Sequence, residues 1–160
     1  MAMTIQQTID TFQFKKARVI QKKQAEALPS FNLFGEYQTN GMHAKSCGWV
    51  YLWAKVNQHG IFDICYVGMT GKTLMERCDK HAKGFMPSPK DSTKKTKGQK
   101  NGEKICTFLK NNLGHEIHVY ARKSADTIVL EETVSLCSAE ETAMIKKMRA
   151  LNAHLWNGRA

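Results

Sequence analysis

The chain has 160 residues, of which 42% are hydrophobic and 24% charged, a composition typical of a single folded domain rather than of a disordered chain. Lysine and arginine outnumber aspartate and glutamate by 24 to 14, and the resulting net charge of +10 predicts a polyanionic partner such as a nucleic acid. No apolar run approaches the roughly 18 residues of a membrane span, so we expect no membrane partner.

The N-terminal part is predicted to be helical. Apolar residues recur at helical spacing from Ile5 onward, and Pro29 follows them, which predicts a helix over 4–28. An irregular connection comes next. We therefore expect an N-terminal helix and connecting segment over 1–47, followed by a domain over 48–160.

The rest of the chain alternates between strand-like and helix-like segments. β-branched and aromatic residues dominate 48–57 and 61–68, and the short polar spacer between them predicts a β-hairpin. The later patterns predict a helix at 73–83, a lysine-rich loop at 84–102, a helix at 103–113, a strand at 115–122, an extended stretch at 127–136 and a helix at 138–151. This order predicts a small α+β domain, in which helices flank a central antiparallel sheet made of the hairpin and one further strand.

The lysine-rich segment concentrates the positive charge of the chain. Between positions 83 and 104 there are seven lysines against Asp91 and Glu103, a net charge of +5. Such a run is either a solvated face or a phosphate-binding segment. We expect four of its lysines to contact nucleic-acid phosphates: Lys94, Lys95, Lys97 and Lys100.

The cysteines indicate the cellular compartment. The chain has five of them, an odd number with no C-x-x-C pair, which argues against a disulfide framework and a four-cysteine zinc site. The polar N-terminus lacks the apolar region of an export signal. We therefore expect free thiols and a cytoplasmic location.

Five side chains form a possible catalytic group. In an antiparallel hairpin, Tyr51 and Tyr66 can lie side by side on one face. Arg77 and His81 share a face of the next helix because they are four residues apart. Glu141 falls on the apolar stripe of the last helix, where an acid requires a positive partner such as a metal ion or Arg77.

These residues, in this order, resemble the GIY-YIG nuclease family over about two-thirds of the chain. The matching segments are Trp49-Val50-Tyr51, Tyr66-Val67-Gly68, the helix signature Leu74, Arg77 and His81, the late glutamate Glu141, and Trp156-Asn157. The stretch S-T-K, followed by a helix and V-Y-A-R, is similar to small phage endonucleases of the endonuclease II type and to restriction-type members. Trp49 replaces the first glycine of the family, and Lys72 is a substitute for the charge that is missing at Met69.

The resemblance implies a metal-dependent endodeoxyribonuclease that hydrolyses phosphodiester bonds in double-stranded DNA. It implies that Tyr51 is the general base, that Tyr66 hydrogen-bonds the water or the phosphate, and that Arg77 binds the scissile phosphate. His81 would assist at the phosphate or in proton transfer. Glu141 would be the sole carboxylate on one Mg²⁺, for which Mn²⁺ could substitute.

The sequence alone does not decide which of two adjacent glutamates binds the metal. Glu140 is an alternative metal ligand to Glu141. The resemblance adds Gly68, Lys72 and Asn157 to the residues expected at the DNA.

A single active site cuts one strand, so cleavage of both strands would require a homo-oligomer, either a dimer or a tetramer. Restriction and degradation of host DNA both fit as roles. The alternative function is a non-catalytic DNA- or RNA-binding module on the same scaffold, with exposed aromatic residues as stacking platforms.

Overall fold

The computed structural model describes residues 3–22, 29–33, 46–85 and 95–158. Within these ranges the elements are α1 (Ile5–Thr11), β1 (Lys15–Gln21), β2 (Ser30–Leu33), β3 (Cys47–Asn57), β4 (Gly60–Thr73), α2 (Leu74–Ala82), a 3-10 turn (Lys83–Phe85), α3 (Lys97–Asn111), β5 (Glu116–Lys123), β6 (Asp126–Val129), β7 (Glu132–Ser135) and α4 (Cys137–Ala150). Five strands form an antiparallel sheet in the order β2-β1-β5-β3-β4, and β6 pairs with β7 separately. The predicted α+β class is confirmed.

The predicted helix over 4–28 is wrong beyond its first two turns. Thr4 and Gln7 form a capping box that starts α1, but Gln13 adopts a left-handed φ of 59° and the chain continues as β1. Residues 17–20 are all buried because β1 lies between β2 and β5, where the strand gains backbone hydrogen bonds and cover on both faces. Residues 23–28 lie outside the described residues. The sheet therefore contains strands from both sides of the predicted boundary at residue 47.

The hairpin is confirmed, and its first strand is the centre of the fold. β3 pairs with β4 on one side and with β5 on the other, so that Tyr51 lies opposite both Gly68 and Ala121. Alternation along β3 sends Tyr51 and Trp53 towards α2 and α3 and sends Leu52 into the opposite cluster with α1 and α4. The sheet is thus a middle layer that is covered on both faces.

The lysine-rich loop is shorter than predicted, because α3 begins at Lys97. Thr96 and Gln99 form a second capping box, which is the T-x-x-Q signature of a helix start. A Cβ atom at Gly102 would collide with the carbonyl oxygen of His81, so glycine is required where α3 crosses the end of α2. Residues 86–94 lie outside the described residues.

The remaining predictions differ from the structure mainly at their ends. The helices predicted at 73–83 and 138–151 are α2 and α4, and the strand predicted at 115–122 is β5. The extended stretch at 127–136 is instead the hairpin β6–β7, whose turn places Leu130 and Glu131 at positive φ. No helix within the described ranges is long and apolar enough to cross a membrane.

Candidate active site

A cavity of about 430 Å³ lies between the edge strand β4, the helices α3 and α4, and the C-terminal segment. Its walls include four residues that the sequence singled out: Tyr66, Lys97, Glu141 and Asn157. Glu141 is the single acid among the lining residues, whereas Lys97 and Lys104 contribute positive charge. The lining of the cavity is therefore basic, with one carboxylate. It suits an anionic ligand and a cation that is bound by both the ligand and the carboxylate.

The two tyrosines lie side by side, as the hairpin pattern predicts. Their ring centroids are 6.1 Å apart in a stacked arrangement, and their hydroxyl groups hydrogen-bond each other. Tyr51 is 1% exposed and lies behind Tyr66, which is 6% exposed and faces the cavity. The amide of Asn101 donates a hydrogen bond of 3.0 Å to the Tyr66 hydroxyl. Tyr66 is thus the phenol that a ligand in the cavity meets first.

Arg77 joins the phenols to the helix α2. Thr73 caps this helix by accepting a hydrogen bond from the backbone of Glu76, and this fixes the turn that carries Arg77. The Nε atom of Arg77 donates to the Tyr51 hydroxyl over 3.2 Å, and its guanidinium also bonds the Tyr66 hydroxyl. The sequence prediction that these three side chains meet is consistent with this geometry.

His81 lies on the inner side of Tyr51, away from the cavity. It is 3% exposed, its Nε2 atom is 3.3 Å from the Tyr51 hydroxyl, and its ring packs edge-on to Trp53. Burial, with the positive charge of Arg77, lowers the pKa of His81 to about 3. The imidazole is therefore neutral at pH 7 and can accept a hydrogen bond from the Tyr51 hydroxyl.

This depressed pKa predicts a loss of stability in acid. Between pH 6.5 and 3 the unfolded chain binds a proton at His81 that the folded chain excludes, so the free energy of unfolding should fall by up to about 1.4 kcal/mol per pH unit from this group. We expect His81→Gln to flatten that slope in urea unfolding at pH 4 to 7, and the exposed His59→Gln to leave it unchanged. Equal slopes for the wild type and His81→Gln would contradict the assignment.

Glu141 and Glu140 are adjacent in α4 but have different surroundings. Glu141 is half-buried at the cavity and accepts a hydrogen bond from the backbone N–H of Met69. Glu140 lies 2.9 Å from the Nε atom of Arg122 and accepts a 2.8 Å hydrogen bond from the backbone of Ala125. Both carboxylate oxygens of Glu140 thus have structural partners outside the cavity, whereas Glu141 lines the cavity.

Burial controls the protonation of the cavity side chains. It raises the pKa of Tyr51 and of Tyr66, although the positive charge of Arg77 opposes both shifts. Burial also raises the pKa of Glu141, against the positive charges of Lys97 and Arg77. Both phenols are therefore protonated at neutral pH, and forming a phenolate requires additional positive charge beside the cavity.

The donor set of the cavity fits a hydrated hard cation. Carboxylate oxygen is a ligand that Mg²⁺ prefers, and this ion keeps several waters and needs only one or two protein carboxylates. Within the described ranges, no three His, Cys, Asp or Glu side chains converge on a common point. The cavity thus suits an ion that is held by Glu141, water and a phosphate, and not an ion that is surrounded by protein ligands.

Asn157 supports the strand that carries Tyr66. Its amide accepts a hydrogen bond from the backbone N–H of Val67 and donates one to the Val67 carbonyl, at 2.9 and 2.7 Å. The backbone of Trp156 bonds the carbonyl of Cys65 in the same way. The C-terminal segment thus continues the hydrogen bonding at the free edge of β4, and both polar ends of the Asn157 amide are engaged there.

The remaining predicted DNA-contacting residues are spread around the cavity. Lys97 lines it, whereas Lys100 on α3 and Lys72 on β4 are exposed and do not line it, and Lys95 pairs with Glu103. Lys94 lies outside the described residues. Gly68 is buried, and a Cβ atom there would collide with the Tyr51 ring, so its small size makes room for that ring.

The sequence reasoning missed Asn101 and Lys104. Both line the cavity because Lys97, Asn101 and Lys104 recur at i, i+4 and i+7 on α3. The capping box at Thr96 is the signal that could have revealed them, since it extends the helix over residues that resemble a polar loop.

The comparisons with known proteins identify the fold. No family model and no curated protein sequence matches the chain. The solved structure of a mutant of bacteriophage T4 EndoII matches 98% of this chain and 100% of its own, with a TM-score of 0.64 and 16% identity. The restriction endonuclease HPY188I in complex with product DNA matches 94% of this chain and 82% of its own, with a TM-score of 0.47 and 16% identity. The chain has the fold of T4 EndoII, which confirms at the level of fold the resemblance read from the motifs.

Proposed function

We propose that the chain is an endonuclease that hydrolyses phosphodiester bonds in double-stranded DNA with the help of one divalent metal ion. The observation that carries this proposal is a hydrogen-bonded group of two phenols and a guanidinium, of which Tyr66 lines a basic cavity whose lining includes a single carboxylate. Three tasks are needed for hydrolysis, namely deprotonating water, neutralising charge on the phosphoryl oxygens and stabilising the departing 3′ oxygen.

Arg77 is the proposed ligand of the scissile phosphate. Its guanidinium is held by Tyr51 and Tyr66, and the N–H groups that these phenols do not use are proposed to bond the phosphate oxygens. One of its terminal nitrogens lies against Gly98 of α3, where the absent side chain leaves space beside it. A lysine at this position could not bond the phenol and the phosphate in the same geometry.

The phenol pair is the proposed proton acceptor, with Tyr51 as the general base. Arg77 donates to its hydroxyl oxygen and so would stabilise the phenolate form, while neutral His81 is within hydrogen-bonding distance of the same oxygen and holds it in place. Tyr66 hydrogen-bonds Tyr51 and faces the cavity, so it orients the attacking water or relays its proton inward. Removing either hydroxyl group breaks this chain of hydrogen bonds.

Glu141 is the proposed metal ligand, because its carboxylate is the acid that faces the cavity. The backbone N–H of Met69 bonds this carboxylate and would help to orient it. When bound, Mg²⁺ supplies Lewis-acid stabilisation of the phosphoryl oxygens and the leaving group, and Mn²⁺ is a suitable substitute.

Nicking of supercoiled plasmid tests this function directly. We expect the purified chain to convert supercoiled to open-circular DNA with Mg²⁺ and to lose all detectable activity when EDTA removes the ion. Addition of excess Mg²⁺ after EDTA provides the control, since it should restore nicking. Cleavage at an undiminished rate in EDTA would contradict the metal requirement, and absence of cleavage with every divalent ion would favour a non-catalytic DNA-binding protein.

Lysines at the start of α3 are proposed to bind the DNA backbone. Each phosphate contact contributes about 0.9 to the slope of log affinity against log salt, so we expect Lys97→Gln to reduce that slope by roughly one contact. Lys110→Gln, at the exposed far end of α3, is the matched control and should leave the slope unchanged. Lys95 should contribute less, because Glu103 already neutralises it. An equal slope for the wild type and Lys97→Gln would remove Lys97 from the interface.

Three further properties are proposed with this function. A single cavity cuts one strand, so cleavage of both strands takes a dimer or a tetramer of the chain. Restriction or degradation of host DNA is the proposed role, in the cytoplasm, and all five cysteines are free, as a reducing compartment requires.

A further inference from the structure

A second groove runs along α3 beside the candidate active site. It has a volume of about 750 Å³, and its walls include Lys100, Phe108, Asn111 and Trp156. Lys104 and Trp156 line both this groove and the active-site cavity. The two concave regions therefore adjoin each other at these two residues.

The groove has an aromatic floor. The rings of Phe108 and Trp156 are half-buried, with centroids 5.9 Å apart and planes tilted by 57°. The indole of Trp156 packs edge-on against Trp53, and its backbone N–H bonds the carbonyl of Cys65, so its position is fixed from two sides. This arrangement leaves rigid ring surface in contact with the groove.

Positive charge surrounds this floor. Lys100 and Lys104 line the groove on the same helix as Phe108. The Nζ atom of Lys55, which is not among the lining residues, lies 5.3 Å from the Phe108 centroid and 5.4 Å from the Trp156 centroid. The one acid of the groove, Glu103, is paired with Lys95. The rim is therefore complementary to phosphate.

We propose that this groove binds an unpaired stretch of the DNA strand next to the scissile phosphate, with a base against Phe108 and Trp156 and phosphates at Lys100 and Lys104. Aromatic rings bind nucleic acid by stacking on a base face, and a base presents that face only when it is unpaired or splayed out.

The inference rests on the proposed endonuclease function and specifies its substrate. DNA that is unpaired beside the cut site, such as a gap, a flap or a locally opened duplex, fills both the cavity and the groove. An uninterrupted duplex fills the groove only after local opening, and it is therefore cut more slowly.

Tryptophan fluorescence provides a specific readout of the groove. Of the three tryptophans, Trp49 and Trp53 are 1% and 0% exposed, so a ligand in the groove reaches Trp156 alone. We expect a twelve-residue oligo(dT) to quench the emission in EDTA, where no cleavage occurs, at a lower concentration than a blunt duplex of the same length. Absence of quenching by oligo(dT), or stronger quenching by the duplex, would overturn the proposal.

Two variants test the residues of the groove. Phe108→Leu and Lys100→Gln should each weaken oligo(dT) binding by about fivefold or more, and Lys110→Gln on the same helix should change it by less than about twofold. Because Lys100 is exposed, Lys100→Gln should fold normally, and a loss of binding by this variant would not be due to misfolding. The proposal would be overturned if the Lys100→Gln variant and the Phe108→Leu variant each bound oligo(dT) as tightly as the wild type.

Plasmid nicking separates this inference from the proposed function. If the wild type nicks plasmid while the groove variants bind oligo(dT) normally, the endonuclease function stands and the groove assignment falls. If the chain never cleaves DNA, but oligo(dT) quenches Trp156 and the Lys100→Gln and Phe108→Leu variants weaken this binding, the endonuclease function falls and the groove is a single-strand binding site.

Discussion

Glu141→Gln is expected to lower the rate of Mg²⁺-dependent plasmid nicking by about 10²–10³-fold, the usual effect of removing one electrostatic stabiliser of a transition state. The substitution keeps the size of the side chain and the hydrogen-bond acceptor for Met69 but removes the charge that holds the cation. Arg77→Lys should have an effect of similar size, because the bond to Tyr51 and the fork that binds phosphate are both lost. DNA binding measured in EDTA should be retained by both variants.

The neighbouring residue provides the matched control. Glu140→Gln weakens the pair with Arg122, which lies outside the cavity lining, so it should lower stability while the rate per folded molecule stays close to that of the wild type. This comparison also decides between the two glutamates that the sequence left open. Loss of nicking in Glu140→Gln with full activity in Glu141→Gln would contradict the proposed metal ligand.

Gly68→Ala is expected to abolish most of the nicking activity although it adds a single methyl group. That methyl group would collide with the ring and hydroxyl of Tyr51, whose position is fixed by Arg77 and His81. The phenol must shift to relieve the collision, and we expect a rate loss of at least about 100-fold, since a displacement of 1 Å is sufficient for such a loss. The free energy of unfolding should fall by about 1–3 kcal/mol, as in other overpacked cores.

Gly71→Ala on the same strand is the control for this second experiment. A Cβ atom there meets nothing within 4 Å, and Gly71 is exposed and does not adopt positive φ. Its nicking rate and its unfolding curve in urea should match those of the wild type. Wild-type nicking by Gly68→Ala would show that the Tyr51 position is not needed for the reaction.

Local patterns predicted the parts of the fold whose stabilising contacts are close in sequence. The hairpin β3–β4 is recognisable because β-branched and aromatic residues flank a short turn, and α2 and α4 are recognisable from apolar spacing. The segment 15–21 was misassigned because it becomes a strand only when β5, about 100 residues later, offers it hydrogen-bonding partners. No local preference reveals such a partner.

In the candidate site, too, some features could be predicted from the sequence and others depend on tertiary packing. The spacing of the residues and the family resemblance led to the prediction that Tyr51, Tyr66, Arg77 and Glu141 form one site. The structure places Tyr51 beside Tyr66, with Arg77 bonded to Tyr51, and Glu141 in the lining of the same cavity as Tyr66. The depth of each residue was not predictable: Tyr66 faces the cavity and His81 lies behind Tyr51, since depth depends on how α2 and α3 pack over the sheet. The C-terminal segment likewise could not be placed, because Asn157 is positioned by the backbone of Val67.

By itself the sequence determined the basic character of the chain, its α+β class and the set of side chains available for chemistry, because these follow from composition and short-range spacing. Only the tertiary structure decided which glutamate faces the cavity, which phenol a ligand meets and which lysines are already paired. These properties depend on contacts between residues far apart in the sequence, and burial at such contacts determines both protonation and access.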